Sequence, residues 1–221
     1  MATGPTLGNG GTVYYTDANA NATLDAGERA VIYSPATQHY YELLNAGAPI
    51  TWDAAAQAAG ARGGHLMTGE AAGEVEFVRT TFSFAAGTPA PAYGGLQVTE
   101  GDGALGAWIG LAAVPGPVAS VADGVWSWVK PDGSGGGTPL AADAPWLVHF
   151  GFANPTTGND DTGQLRAAMT GGNDLPGDSA PGTAPDPRPE QCLYDLQASQ
   201  SVPARYVVEY ETTAAVTSVI R

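Results

Sequence analysis

Asp17, Asn19, Asn21, Thr23, Asp25 and Glu28 set oxygen-bearing side chains along one twelve-residue stretch, from Asp17 to Glu28. Side-chain oxygens at the first, third and fifth places, a backbone carbonyl at the seventh, and carboxylates at the ninth and twelfth can curl around one point. That is the donor pattern a hard divalent cation such as Ca2+ requires, with six to eight oxygens. Leu24 at the eighth place is expected to point inward. Ala22 stands where a sharp turn favours glycine, and a left-handed backbone there costs alanine about 1 kcal/mol. The competing reading of the stretch is a polar, Asx-rich turn between two strands.

A second group of oxygen donors lies far downstream. Asn154-Pro155, Asn159-Asp160-Asp161 and Asn173-Asp174 precede the lone cysteine, Cys192, and Glu190 and Asp195 flank it. Trp146 and His149 lie close before the first of these in the chain, and an aromatic face such as Trp146 suits stacking on a sugar ring. The competing reading of this region is a solvated acidic loop. Chemistry of other kinds finds little support. No Ser/His/Asp or Cys/His triad stands out, and nothing fixes Asp160 and Asp161 as a glycosidase pair. Gly135-Gly136-Gly137 lacks the lysine and strand–helix context of a phosphate loop.

The elements that must position these groups are set by pattern. Val13 to Tyr15, Ala30 to Tyr33 and His39 to Leu43 read as strands. Thr51 predicts the N-cap of a helix from Trp52 to Arg62, with Trp52, Ala55, Ala56 and Ala59 on one face and Gly63-Gly64 ending it. Thr68 predicts the cap of a second helix from Glu70 to Phe82, with Ala71, Val75, Val78 and Phe82 as its apolar stripe and Glu70 and Glu74 suiting its dipole. Ala107 to Leu111, Val125 to Val129, Cys192 to Leu196 and Tyr206 to Tyr210 read as further strands. The roughly sixty residues after Trp128 read as loop, rich in Gly, Pro, Asp, Asn and Thr. Glu211 to Arg221 reads as a linker or as the start of a neighbouring domain.

Composition narrows the classes. The 221 residues suffice for a sizeable core, and 43% of them are hydrophobic. Eight basic against 22 acidic residues give a formal net charge of −14, which argues against a nucleic-acid surface. No apolar run approaches the ~20 residues that span a bilayer. Met1 to Gly11 lacks the basic and apolar regions of a signal peptide. One cysteine allows no internal disulfide and suits a buried small hydrophobe.

Three patches in chain order resemble the C-type lectin-like domain: Gly63-Gly64-His65-Leu66, then Trp108-Ile109-Gly110-Leu111, then Trp126-Ser127-Trp128 followed by Asp132-Gly133. Thr51 to Leu66 resembles the family's first helix and its exit, Glu70 to Val78 its second helix, and Tyr206 to Glu209 its closing strand. The resemblance implies an α+β fold with two helices, small antiparallel sheets and a long loop region. It covers residues 37–211 as the lectin-like domain; residues 1–36 read separately as N-terminal strands carrying an EF-hand-like calcium loop and docked on that domain, and 212–221 as a linker or tail. The family ties its first helix to its last strand by a disulfide; here Ala59 and Val208 take those places, forgoing about 2–4 kcal/mol. Cystine-free versions resemble bacterial members of the family.

The function this implies is that of a non-enzymatic, calcium-dependent carbohydrate-binding domain of a secreted or surface adhesin. Asp17, Asn19, Asn21, Thr23, Asp25 and Glu28 are expected to hold Ca2+. Asn154, Asn159, Asp160, Asp161, Asn173, Asp174, Glu190, Asp195 and Trp146 are expected to meet the glycan. In the long loop the order of the family's sugar-binding signature is broken around Cys192. A protein- or peptide-binding module, a domain merely rigidified by calcium, and an ice-binding surface are the other readings. Trp52, Trp108 and Trp126 are expected in the core. Trp128 reads as scaffold before platform. His65 is expected to be structural, and His39 merely adjoins a strand.

Overall fold

The structure, a computed structural model, describes residues 1–25, 28–71, 73–82, 106–114, 125–129, 164–169, 193–197 and 205–219. Its strands are β1 (Ala2–Thr6), β2 (Thr12–Tyr15), β3 (Ala30–Tyr33), β4 (Tyr40–Asn45), β5 (His65–Leu66), β6 (Ala107–Val114), β7 (Val125–Trp128), β8 (Gln164–Met169), β9 (Leu193–Gln197) and β10 (Arg205–Tyr210). Its helices are α1 (Trp52–Ala61), α2 (Glu74–Phe82) and α3 (Thr213–Val219). The fold is therefore mixed α+β. In place of several small antiparallel sheets the strands form one branched sheet in the order β1-β2-β3-β4-β10-β6-β8-β9, with β5 joined to β10 and β7 to β6. Its β10–β6 pair is parallel.

Alternation along the strands divides the core into two faces. Tyr41, Val207, Ile109 and Leu111 lie in the cluster that contains Val75, Val78 and Phe82 of α2. Tyr40, Val208, Trp108 and Ala112 lie in the cluster that contains Trp52, Ala55 and Ala59 of α1 and Val216 of α3. The sheet is thus buried between α2 on one face and α1 with α3 on the other. Ala59 and Val208 share the second cluster, both fully buried.

Helix α1 forms where its pattern predicts. The Thr51 side chain accepts from the Ala54 N–H, and Gly63, at φ +79, turns the chain out. Two indoles lock it to the sheet: Trp52 Nε1 donates to the Ile109 carbonyl (2.7 Å) and Trp108 Nε1 to the Ile50 carbonyl (2.8 Å). Each buried N–H thereby finds a partner.

Helix α2 starts later than the expected Glu70. Gly73 sits at φ +78, outside helical geometry, and its carbonyl accepts the first helical bond, from the Phe77 N–H. Thr68 is not its cap, because its N–H and hydroxyl both donate to Glu209. Further elements depart from the sequence pattern. Strand β8 forms inside the stretch read as loop, with Ala167, Ala168 and Met169 all buried, so no apolar–polar alternation marks it. Residues 213–219 form α3 in the stretch read as tail; Val216 packs into the core and the Tyr40 and Thr213 hydroxyls share a hydrogen bond.

The branch point of the sheet needs Gly110. Its N–H donates to the Met67 carbonyl and its carbonyl accepts from the Val129 N–H, while the Met67 N–H donates to Val207. A Cβ at Gly110 would lie 2.7 Å from the Leu66 carbonyl oxygen and 3.1 Å from that of Met67. Both obstacles are backbone and cannot swing away. Gly110→Ala is expected to lower unfolding stability in urea by about 1–3 kcal/mol, the range for overpacking; a loss under about 0.5 kcal/mol, within the range of neutral surface changes, would show spare room at the junction.

Candidate metal centres

The Asp17–Glu28 stretch connects β2 to β3, and the structure describes all six positions expected to bind calcium. It is a strongly self-bonded loop. Asp17 accepts from the Asn21 and Ala22 N–H groups, and Asn21 Oδ1 accepts from the Thr23 N–H. Glu28 reaches back along the loop, taking the Ala18 N–H on Oε1 and the Asp25 N–H on Oε2. The Asn19 and Asn21 amides both donate to Asp25 Oδ2. Ala20 and Ala22 each take φ +58, so the turn is made by alanine at the place where glycine fits best. Leu24 is partly buried against the α2-side core.

The loop is anchored to the fold by its neighbour Arg29. That guanidinium grips Glu42 at 2.6–2.9 Å through Nε and Nη2. Glu42 also accepts from the Tyr210 hydroxyl (2.7 Å) and stands 3.7 Å from Arg62. Alternation of β4 and β10 places Glu42 on the α1 side together with Tyr40 and Tyr210. Burial and the Glu42 charge push the Tyr210 hydroxyl well above its ordinary range.

The opposite face carries a cluster that the sequence pattern did not single out. Glu209 follows Val207 onto the α2 side, and its register partner on β4 is Tyr41. There it meets Glu74, the first residue of α2, and His39, the residue before β4. His39 Nδ1 lies 2.5 Å from Glu209 Oε1 and 3.7 Å from Glu74 Oε1. Donor atoms of the three residues all fall within 4.8 Å of one another, close enough to hold a cation. Both carboxylates are 1% exposed, whereas His39 is 28% exposed and forms the side open to solvent.

The outer oxygens are held by fixed donors. Glu74 Oε2 accepts from the Ala71 N–H at 3.0 Å, and Glu209 Oε2 accepts from the Thr68 N–H (2.8 Å) and hydroxyl (3.0 Å). Glu74 Oε1 bonds the Tyr41 hydroxyl at 2.5 Å, and that hydroxyl also bonds Thr37. His65 joins from β5, bonding the Leu66 carbonyl through Nδ1, 3.8 Å from Glu209.

Burial, reinforced by the Glu209 charge, pushes the Glu74 carboxyl up to about 7. Contact with Glu209 holds the His39 imidazole above its ordinary range against the opposing effect of burial. Burial and the charge on Glu74 raise the Tyr41 phenol far beyond its usual range.

Of the residues expected to meet a glycan, Trp146, Asn154, Asn159, Asp160, Asp161, Asn173, Asp174 and Glu190 lie outside the described residues, as do Cys192 and His149. Asp195 lies on β9, with Ala167 as its backbone register partner. Trp52, Trp108 and Trp128 are buried, and Trp128 is therefore scaffold. His65 is likewise buried. Two of the missed residues stand out locally, although nothing local links them. Glu74 falls on the apolar stripe of α2 with Val78, and Glu209 interrupts an otherwise apolar run of buried residues in β10.

No protein-family model and no curated protein matches the chain. Among solved structures it is similar to a calcium-independent type II antifreeze protein. The identity is 18%, the match covers 82% of this chain and 96% of that one, and the TM-score is 0.41. A likeness of that depth carries no argument about activity.

The raised Glu74 and His39 values set the sign of a pH effect. Folded protein holds more protons than unfolded protein, for Glu74 between about 4.5 and 7 and for His39 from its ordinary 6.5 upward. Their stabilisation is complete at low pH and is lost as pH rises through the folded values. Urea unfolding in chelator is expected to show stability falling by on the order of 2 kcal/mol from pH 5 to pH 8, with Glu74→Gln flattening the lower part of that slope. Equal slopes in both proteins would contradict the assignment.

Proposed function

We propose that this chain is a calcium-dependent carbohydrate-binding domain of the C-type lectin-like type, a non-enzymatic receptor element of a secreted or surface bacterial adhesin. The observation that carries the reading is the junction at Trp108–Leu111. There β6 pairs in parallel with β10 and receives the Trp52 indole of α1, while β5, β7 and β8 join around it. The Trp-Ile-Gly-Leu resemblance implies such a nucleus, with its first helix packed against its closing strand. The chain segments that carry the Asn and Asp residues run between β7 and β8 and between β8 and β9. In this reading, calcium held by Asn154, Asn159, Asp160, Asp161, Asn173 and Asp174 accepts two vicinal sugar hydroxyls. Trp146 stacks on the ring, with Glu190 and Asp195 contributing at the margin.

The Asp17–Glu28 loop takes a separate, structural calcium in this account. Its carboxylates and carbonyls suit a hard cation. Strands flank it, so metal there stiffens the β2–β3 connection and does not drive the opening of paired helices.

Two measurements separate the two calcium roles. A glycan array probed with the whole chain is expected to show signals in calcium that vanish with chelator and in the Asp160→Asn/Asp161→Asn double variant. Binding indifferent to chelator would reject the calcium-bridged mode. Calcium at 100 times its Kd for the N-terminal loop is expected to add about 2.7 kcal/mol of stability. Glu28→Gln should remove most of that gain and leave glycan signals in place; an unchanged gain would exclude the loop.

A further inference from the structure

We propose that His39, Glu74 and Glu209 form a binding site for a divalent transition metal of the zinc type, distinct from the Asp17–Glu28 loop and independent of any glycan role. The first support is the donor set. One imidazole nitrogen and two carboxylate oxygens, with His39 partly exposed to solvent, match the three-ligand zinc arrangement. Calcium requires six to eight oxygens, and here one of the three converging ligands is nitrogen.

The second support is how the carboxylates are held. Each outer oxygen is occupied: Glu74 Oε2 by the Ala71 N–H, and Glu209 Oε2 by the Thr68 N–H and hydroxyl. Each inner oxygen, Oε1, is turned toward His39 Nδ1. Outer donors of this kind orient metal-binding carboxylates. The hydroxyl of Tyr41 can keep its bond to Glu74 while Oε1 offers its other lone pair.

The third support is the state of the inner atoms. His39 Nδ1 and Glu209 Oε1 lie close together, yet neither makes a hydrogen bond of proper geometry. The two atoms touch as an ion pair, so a bound ion would take the place of that contact and part them. Charge points the same way. Buried Glu42 has Arg29 and Arg62 beside it, whereas among the described residues no arginine or lysine pairs with Glu74 or Glu209. A divalent ion neutralises both carboxylates, whereas among the described residues the groups beside them are the imidazoles of His39 and His65. The ligands come from the β3–β4 turn, the start of α2 and β10, so the ion would crosslink three separate elements.

The test uses the whole chain, stripped with chelator and dialysed. Calorimetry is expected to find one Zn2+ per chain with a higher Tm, and Co2+ is expected to give visible absorption bands from its bound imidazole and carboxylates. His39→Ala, at a partly exposed position, should abolish both signals without unfolding the chain. Thr68→Val should weaken zinc by roughly 10–100-fold. The Asp17→Asn/Glu28→Gln variant should keep both signals. No zinc uptake by the wild type, uptake indifferent to His39→Ala, uptake lost in the Asp17→Asn/Glu28→Gln variant, or calcium competing with zinc on equal terms would overturn the proposal.

Discussion

Two buried carboxylates, Glu74 and Glu209, meet at one seam with the partly exposed His39 imidazole against both and the buried His65 imidazole 3.8 Å from Glu209. Much of the architecture converges there. The β4–β10 register puts Tyr41 beside Glu209 on the α2 face, and the left-handed turn at Gly73 brings Glu74 to the head of α2. The backbone at 68 and 71 is drawn in as donors to the two acids. Low dielectric makes two such charges incompatible unless a proton or a cation is shared between them. Across the sheet, Glu42 solves the same problem differently, with Arg29, Arg62 and the Tyr210 hydroxyl. One face is compensated by guanidinium; the other depends on His39 and on what His39 can help bind.

The two solutions also tie the amino-terminal strands to the rest of the fold. Arg29 leaves the Asp17–Glu28 loop and enters the Glu42 cluster, so a cation in the loop would stiffen a segment already joined to the α1 face. His39 ends the turn after β3, where Ser34 and His39 share a backbone bond, and enters the Glu209 cluster on the α2 face. Asn9, in the β1–β2 turn, donates its amide to Thr81 of α2. Buried polar anchors and the apolar packing around Ala59 and Val208 thus hold these elements together.

Period and punctuation made part of this fold legible in the sequence. Thr51, the alanine stripe and Gly63-Gly64 bound α1 because capping and left-handed exit are local properties. Tyr206 to Tyr210 and Trp108 to Leu111 read as strands because branched and aromatic residues crowd there. Strand β8 was not legible, because Ala167, Ala168 and Met169 are buried on both faces and leave no alternation. Helix α2 starts beyond Glu70, although Thr68 is an ideal cap in isolation, because Glu209, 141 residues away, takes the Thr68 donors. The His39–Glu74–Glu209 cluster escaped for the same reason. Glu74 and Glu209 each interrupt an apolar pattern, but only the β4–β10 register and the turn at Gly73 bring them together with His39.

Anomalous diffraction from crystals grown with zinc and calcium together is decisive for the seam, because it locates each ion by its own absorption edge. The account predicts a zinc-edge peak between His39 Nδ1 and the Oε1 atoms of Glu74 and Glu209. A seam holding no anomalous peak, with Glu74 and Glu209 joined only through a shared proton, would contradict it.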